Sequence, residues 1–452
     1  MIASEAVRAA LVTGLFLLVI AAAELWRMRG NPTPEMTRKL VHFASGAVCL
    51  TFSHLFASHW TVLILCIGFA GLMVTTQKFG LLPSVHGVER RSQGGLYYPI
   101  AVYLSFFIAS RIHRPDLYVI GILVLAVSDS LAALVGGRYG FKLYVVEEDT
   151  KTLEGSIIFF LATFLTVHLI LLLLTGIDPA VSVLSGLYIA LLITAFESIS
   201  LDGSDNLIIP IGTIVIAHRA VAQSWIPLAV KVLLLISLFT LVAVLARRTG
   251  RIGLTAAIGI TLMGFGAYEI AGMMWLLPIL LAMALICVLD IFIEPSDDPT
   301  DKYRIRPVFF ILLVSVFWLM VAGFSVYPRD IFFAPFAMNI IANLGILWHR
   351  RALFNKPYRW KLPQWVQDPP IWARSAMLGV VIAGPSLFFL RVISPITTLI
   401  GIVAGAALIE TAYWRYAWVK HPEWDRVQLL RFTAVVSLLV SFLWVVWSIM
   451  AI

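Results

Sequence analysis

The chain has 452 residues, 60% of them hydrophobic and 13% charged, and a formal net charge of +8. Its mean hydropathy is +0.94, whereas a soluble domain carries about 25% charged residues. A water-exposed surface over most of the chain is thereby excluded, and a multi-pass integral membrane protein in contact with the lipid bilayer is implied. The basic balance is what cytoplasmic loops rich in Lys and Arg produce, so it implies no nucleic-acid partner. Cys49, Cys66 and Cys287 lie inside apolar runs and form no metal-ligand pattern.

Apolar runs between charged breaks predict an all-α, polytopic transmembrane helical bundle of about 16 spans. The first, near 9–26, carries Glu24 and lacks a small-residue cleavage site, so it reads as a retained helix. Further runs lie near 40–57, 60–76, 96–110, 117–137, 156–174, 181–200, 207–217 and 225–246. The second half adds runs near 252–268, 270–293, 307–326, 331–348, 375–390, 393–412 and 432–451. The run at 207–217 is short and contains Pro210, which suits a broken or re-entrant segment. With the first loop in the cytoplasm and sides alternating, most Lys and Arg residues fall inside, as positive residues are biased to do.

Polar elements interrupt this pattern in chain order. Arg38-Lys39-Leu40-Val41-His42 enters the second span, and Arg90-Arg91-Ser92-Gln93-Gly94-Gly95 enters the fourth. Each alone reads as a positive-inside anchor. Asp129 lies within the fifth span, about 13 Å from its inner end at 1.5 Å per residue. An ionisable residue there suggests a functional site. It shares a helical face with Ala132, Ala133, Gly136 and Gly140, so a close helix–helix contact is the other reading.

Lys151-Thr152-Leu153-Glu154-Gly155-Ser156 opens the sixth span. Thr152 or Ser156 suits the N-cap, and Glu154 suits the positive helix end. Lys151 is unfavourable there unless it meets an anion. At the end of the seventh span, Glu197-Ser198-Ile199-Ser200-Leu201-Asp202-Gly203-Ser204-Asp205-Asn206 is either a solvated acidic turn or a set of oxygen ligands for Mg²⁺. The charge pattern puts all five elements at or just below the cytoplasmic surface. Carboxylates for a metal, cations for phosphates and glycines for close approach are what phosphoryl transfer requires.

Arg38-Lys39-x-Val41-His42, Asp129-x-x-Ala132, Lys151-Thr152-x-Glu154-Gly155-Ser156 and Glu197-Ser198 with Asp205-Asn206-Leu207 together resemble the polyprenol kinase family, nearest its phytol kinase branch. The ordered set covers residues 37 to 217; Ser128 stands where the family often has Gly. The resemblance implies transfer of the γ-phosphate of a nucleoside triphosphate, usually CTP, to a lipid alcohol such as phytol, farnesol, geranylgeraniol or dolichol, with Mg²⁺. It implies Asp129, Lys151, Glu154 and Glu197 as catalytic residues. Arg38, Lys39, His42, Arg91, Gly136, Gly140, Thr152, Gly155, Ser156 and Asn206 would bind the nucleotide, and Asp129, Glu197 and Asp205 the metal. A prenyl tail would reach the site sideways from the bilayer. No Walker A or soluble kinase signature is present.

These elements precede Pro210, so residues 1–248 are expected to form the kinase-like domain and 249–452 an additional transmembrane domain that supports, dimerises or feeds it. In the latter, Glu269, Asp290 and Glu410 look isolated or terminal, and the loop from His349 to Arg374 reads as an interfacial loop with Trp360, Trp365 and Trp372. Two other activities fit parts of the pattern. A phosphatidate cytidylyltransferase would also use CTP, but its Pro-Gly-His-Gly-Gly signature is missing. A secondary transporter would use Asp129 and Glu197 for a coupling ion, but would leave Lys151 and Arg38 idle.

Overall fold

A computed structural model describes residues 2–30, 32–86, 93–147, 149–249, 252–292, 305–354, 368–390, 394–421 and 424–451. Helix dominates, as expected. The first half runs through α1 (Ile2–Gly30), α2 (Pro34–Leu50), α3 (His59–Lys78) and α4 (Gly94–Arg111). It continues through α5 (Pro115–Tyr139), α6 (Leu153–Leu174), α7 (Pro179–Ile199), α8 (Asp205–Ala220) and α9 (Trp225–Thr249). The second half holds α10 (Leu254–Ala271), α11 (Met273–Phe292), α12 (Ile305–Phe324), α13 (Phe333–Phe354), α14 (Ile371–Leu387), α15 (Pro395–Ala412) and α16 (Arg426–Met450). The chain divides into two compact units, Met1–Leu234 and Leu235–Ile452, with the division falling inside α9.

Eleven helices among the described residues are long and apolar enough to cross a bilayer. The runs near 270–293 and 375–390 form shorter apolar helices. Those near 40–57, 96–110 and 207–217 become α2, α4 and α8, which fall outside the eleven. The polar residues that enter α2 and α8 dilute their hydropathy. Segment 40–57 is also broken, because α2 ends at Leu50 and a separate turn follows at Phe52–Leu55.

Helix starts follow local chemistry. Proline opens α2, α5 and α7, where its missing N–H costs nothing. Asp178 caps α7 by accepting from the N–H groups of Ala180 and Val181. In α6, Phe159, Thr163, Val167 and Leu171 are buried at every fourth position. Leu161, Leu165, Leu169 and Leu173 form an exposed stripe on another face. Outward leucine suits hydrocarbon, while the inward stripe meets Leu117, Ile120 and Val124 of α5 and Ile189 and Ile193 of α7.

The loop expected between the fifth and sixth spans contains the one sheet among the described residues. Strands β1 (Leu143–Val146) and β2 (Asp149–Thr152) pair antiparallel, with Leu143 opposite Thr152 and Tyr144 opposite Lys151. Val145, Val146, Thr150 and Thr152 are β-branched, and this composition favours a pleated strand.

This hairpin packs against the small face of α5. A Cβ on Gly136 would lie 2.5 Å from Thr152 Oγ1 and 3.2 Å from the Gly155 Cα. Gly140 is likewise closed off by Thr152, and a Cβ on Gly155 would lie 3.1 Å from the Ala132 carbonyl. These three glycines therefore permit a backbone approach between α5 and the start of α6, the close-contact reading of that face.

In the second unit, Glu410 is not isolated. The Arg374 guanidinium donates to Glu410 Oε2 at 2.8 and 3.0 Å, Ser375 Oγ donates to Oε1 at 2.9 Å, and both charged side chains are fully buried. Arg374 also reaches Asp368, which in turn meets His349 at 2.6 Å. Most of the Trp-containing loop, residues 355–367, lies outside the described residues, as does the side chain of Asp290.

The tight α5–α6 contact makes a prediction. Gly136→Val should cost about 1–3 kcal/mol through overpacking. It should raise protease cleavage between residues 140 and 152, whereas Gly137→Ala, with open space at its Cβ position, should leave cleavage unchanged.

Candidate active site

A pocket of about 260 Å³ opens among α2, α5, β2, α6, α7 and the start of α8. Four of the five polar elements line it. Arg38, Lys39 and His42 come from α2, Asp129 and Gly136 from α5, and Lys151 and Thr152 from β2. Gly155 and Ser156 come from α6, and Glu197, Asp205 and Asn206 from the α7–α8 junction.

Two ion pairs, one buried and one partly buried, hold these elements together. Lys39 Nζ donates to Asp129 Oδ2 at 2.6 Å, across 90 residues of sequence, and both residues are buried. His42 Nε2 lies 3.4 Å from the same oxygen and bonds the Leu125 carbonyl at 3.1 Å. Because a carbonyl only accepts, Nε2 carries the proton. Leu125 belongs to a π-turn, Val124–Ser128, immediately before Asp129. Such bulges recur at functional sites because they re-aim the following residues.

Lys151 forms the second pair. Its ammonium donates to Glu197 Oε1 at 2.7 Å, to Ser200 Oγ at 3.0 Å and to the Glu197 main-chain carbonyl. The anion that a lysine at this helix start demands is thus supplied by the chain itself. Burial opposes the charge of Lys151, but the Glu197 and Asp205 carboxylates outweigh it and hold the ammonium above its ordinary value. Glu197 Oε2 is buried without a hydrogen-bond partner among the described residues.

The acidic turn is shaped by Asp202 and Gly203, both with positive φ. It is pinned by Leu201 N donating to Ser204 Oγ and by Gln93 N donating to the Asp202 carbonyl. Gly203 lines the pocket while Asp202 is exposed.

Several expected residues stand elsewhere or act differently. Glu154 is outside the pocket lining; its carboxylate accepts from the backbone N–H groups of Phe141 at 3.1 Å and Lys142 at 3.2 Å. It anchors the entry to the hairpin, since a carboxylate at the first turn of α6 can reach back to that backbone. Gly140 is also outside, packed on Thr152. Thr152 caps α6 by accepting from Gly155 N at 3.1 Å, and Ser156 pairs with the Tyr144 hydroxyl at 2.8 Å. Arg91 lies outside the described residues.

Sequence reasoning passed over Glu35, Ser200 and Tyr98. Glu35 lines the pocket and accepts two hydrogen bonds from Arg38, a pairing readable from its i, i+3 spacing. Tyr98 packs edge-on against His42 with ring centroids 5.0 Å apart, a contact no local pattern announces.

Asp129, Glu197 and Asp205 do not form a closed metal cage. Among the described residues no three His, Cys, Asp or Glu side chains come together as a metal site. The donor set fits a different mode. Mg²⁺ is commonly held by one or two carboxylates plus waters and substrate phosphates, which the unpartnered Glu197 Oε2 and nearby Asp205 can supply.

Comparison with known proteins bears on this arrangement. The chain is 36% identical over 199 residues to a phytol kinase of Synechocystis, a match covering 44% of this chain and 85% of that protein. It belongs to the polyprenol kinase family. This polyprenol kinase-family chain is also 30% identical over 111 residues to a dolichol kinase of Schizosaccharomyces pombe, covering 25% of its own length and 21% of that protein. No family model and no solved structure matches it.

The ion pairs predict a double-mutant signature. Glu197→Gln or Lys151→Met alone should destabilise the protein by about 3–5 kcal/mol, because each leaves a buried group uncompensated. The double variant should recover much of that loss in a thermal-shift measurement in detergent. The Glu35→Gln change, at a half-exposed pair with Arg38, should cost under about 1 kcal/mol.

Proposed function

We propose that the first unit is a membrane lipid kinase that transfers the γ-phosphate of CTP, or of another nucleoside triphosphate, to a prenyl alcohol such as phytol, farnesol, geranylgeraniol or dolichol. The observation that carries this reading is the convergence of Lys39–Asp129 and Lys151–Glu197 in one pocket, in a chain of the polyprenol kinase family. The names of both relatives support a lipid alcohol as acceptor.

The hydroxyl oxygen attacks the γ-phosphorus in line, the bond to the bridging oxygen breaks, and the nucleoside diphosphate leaves. The hydroxyl proton passes to a carboxylate. Asp129 suits this task, since Lys39 and His42 fix its position on the α2 side of the pocket. Lys151, Lys39 and Arg38 supply fixed positive charge for the phosphate oxygens, which gather charge in the transition state. Glu197, Asp205 and Asn206 form the opposite wall. Mg²⁺ bound there would neutralise phosphate charge. Positive-inside loops support a cytoplasmic mouth for the pocket, where nucleotide is available.

Asp129→Asn and Lys151→Ala should each lower lipid phosphorylation by more than about tenfold, a loss above about 1.4 kcal/mol, while still inserting into membranes. The assay uses membranes with γ-labelled CTP and a panel of prenols. Labelled lipid phosphate with release of CDP is the expected product pair. Pyrophosphate release would instead identify nucleotidyl transfer and overturn the proposal.

A further inference from the structure

A second cavity of about 290 Å³ lies in the same unit among α1, α2, α3 and α4. Its wall includes Phe16, Cys49, Phe52, Leu65, Phe69 and Tyr98, and no Asp, Glu, Lys or Arg lines it. Leu17, Ile64 and Gly68 on its lining are exposed, beside outward residues such as Leu18 and Ile67. The cavity therefore opens sideways, through a surface suited to hydrocarbon.

Tyr98 stands between this cavity and the polar pocket, whose linings share no residue. Its ring forms part of the apolar wall and packs against His42, whose Nε2 is 3.4 Å from Asp129 Oδ2. His42, Gly46 and Cys49 follow one another along one face of α2, which places Cys49 about 10 Å beyond His42 at 1.5 Å per residue. A polar reacting centre thus lies at one end of this α2 face and a laterally open apolar chamber at the other.

We propose that this cavity binds the hydrocarbon tail of the lipid alcohol, with its hydroxyl end at Asp129 and its chain passing Tyr98. The proposal rests on the kinase reading above and specifies its acceptor site. An apolar cavity of about 150 Å³ takes up benzene; one nearly twice as large takes roughly two isoprene units. The remainder of a longer tail leaves between α1 and α3 into the bilayer. The first isoprene unit lies beside His42 and Tyr98, and only later units reach the cavity. Chain length should therefore decide how strongly the cavity matters.

The test uses the full chain in lipid nanodiscs and alcohols of one to four isoprene units. Gly68→Phe places a ring at the mouth, where an added Cβ meets nothing within 4 Å. Thr13→Phe approaches from α1 on the same lining. For three- and four-unit alcohols kcat/KM should fall about tenfold or more through KM, while the one-unit alcohol stays within about twofold. Equal losses at all lengths, or none at any length, would overturn the proposal.

Photolabelling of the unaltered protein supplies a readout that needs neither variant. Geranylgeraniol bearing a diazirine on its third isoprene unit should label peptides of α1, α2 or α3, and excess farnesol should suppress that label. Label in the second unit's own apolar cavity, lined by Ile279, Met283, Leu312 and Leu344, or label that farnesol does not suppress, would overturn it. If the unaltered protein phosphorylates no prenol at all, the kinase reading fails, and the labelling pattern still decides what the cavity holds.

Discussion

A charge removed from water must meet an opposite charge or an equivalent set of hydrogen bonds. In the first unit this requirement falls on Lys39 with Asp129 and on Lys151 with Glu197. Each pair joins elements distant in sequence, so satisfying the charges also assembles the pocket. α2 is drawn to α5 by the first pair, and β2 is drawn to the end of α7 by the second. The groups that hold the unit together at this level are the same ones that present positive and negative charge to the pocket. Pairing also fixes the positions of both ammonium groups at the pocket wall.

The pairs depend in turn on how closely the backbones approach. Gly136, Gly140 and Gly155 let the hairpin and the start of α6 lie against α5. Glu154 ties the hairpin entry, and Thr152 caps α6. The π-turn before Asp129 and the His42 contact to Leu125 set the carboxylate on the α2 side. Small residues and a bulge therefore do geometric work whose result is electrostatic.

The second unit obeys the same rule with a different outcome. Arg374 and Glu410 satisfy one another completely, with Ser375 and Asp368 closing the remaining bonds. Asn339 is similarly occupied by Ser315, Ser437 and the Ile311 carbonyl. Polar groups so fully engaged bind helices to one another. In the first unit, Glu197 Oε2 has no hydrogen-bond partner among the described residues and belongs to a side chain that lines a pocket.

Composition and long continuous apolar runs alone determined that the protein is a helical membrane protein, because a run of about 20 apolar residues spans the bilayer as a helix, whereas a barrel strand alternates apolar and polar residues over about 10. The polar motifs were also legible, since an ionisable residue within an apolar run stands out against its neighbours. Short-range signals were present for the Thr152 cap and the Glu35–Arg38 pair. The partners of Asp129, Lys151 and Glu410 were not legible, because pairing across 90, 46 or 36 residues depends on how helices pack and not on spacing. The same is true of Glu154, whose type suited catalysis but whose position at the first turn of α6 turned it to the backbone. Only the tertiary structure placed Tyr98 between a charged pocket and an apolar cavity, because that position is fixed by three helices meeting and by no residue pattern within any one of them.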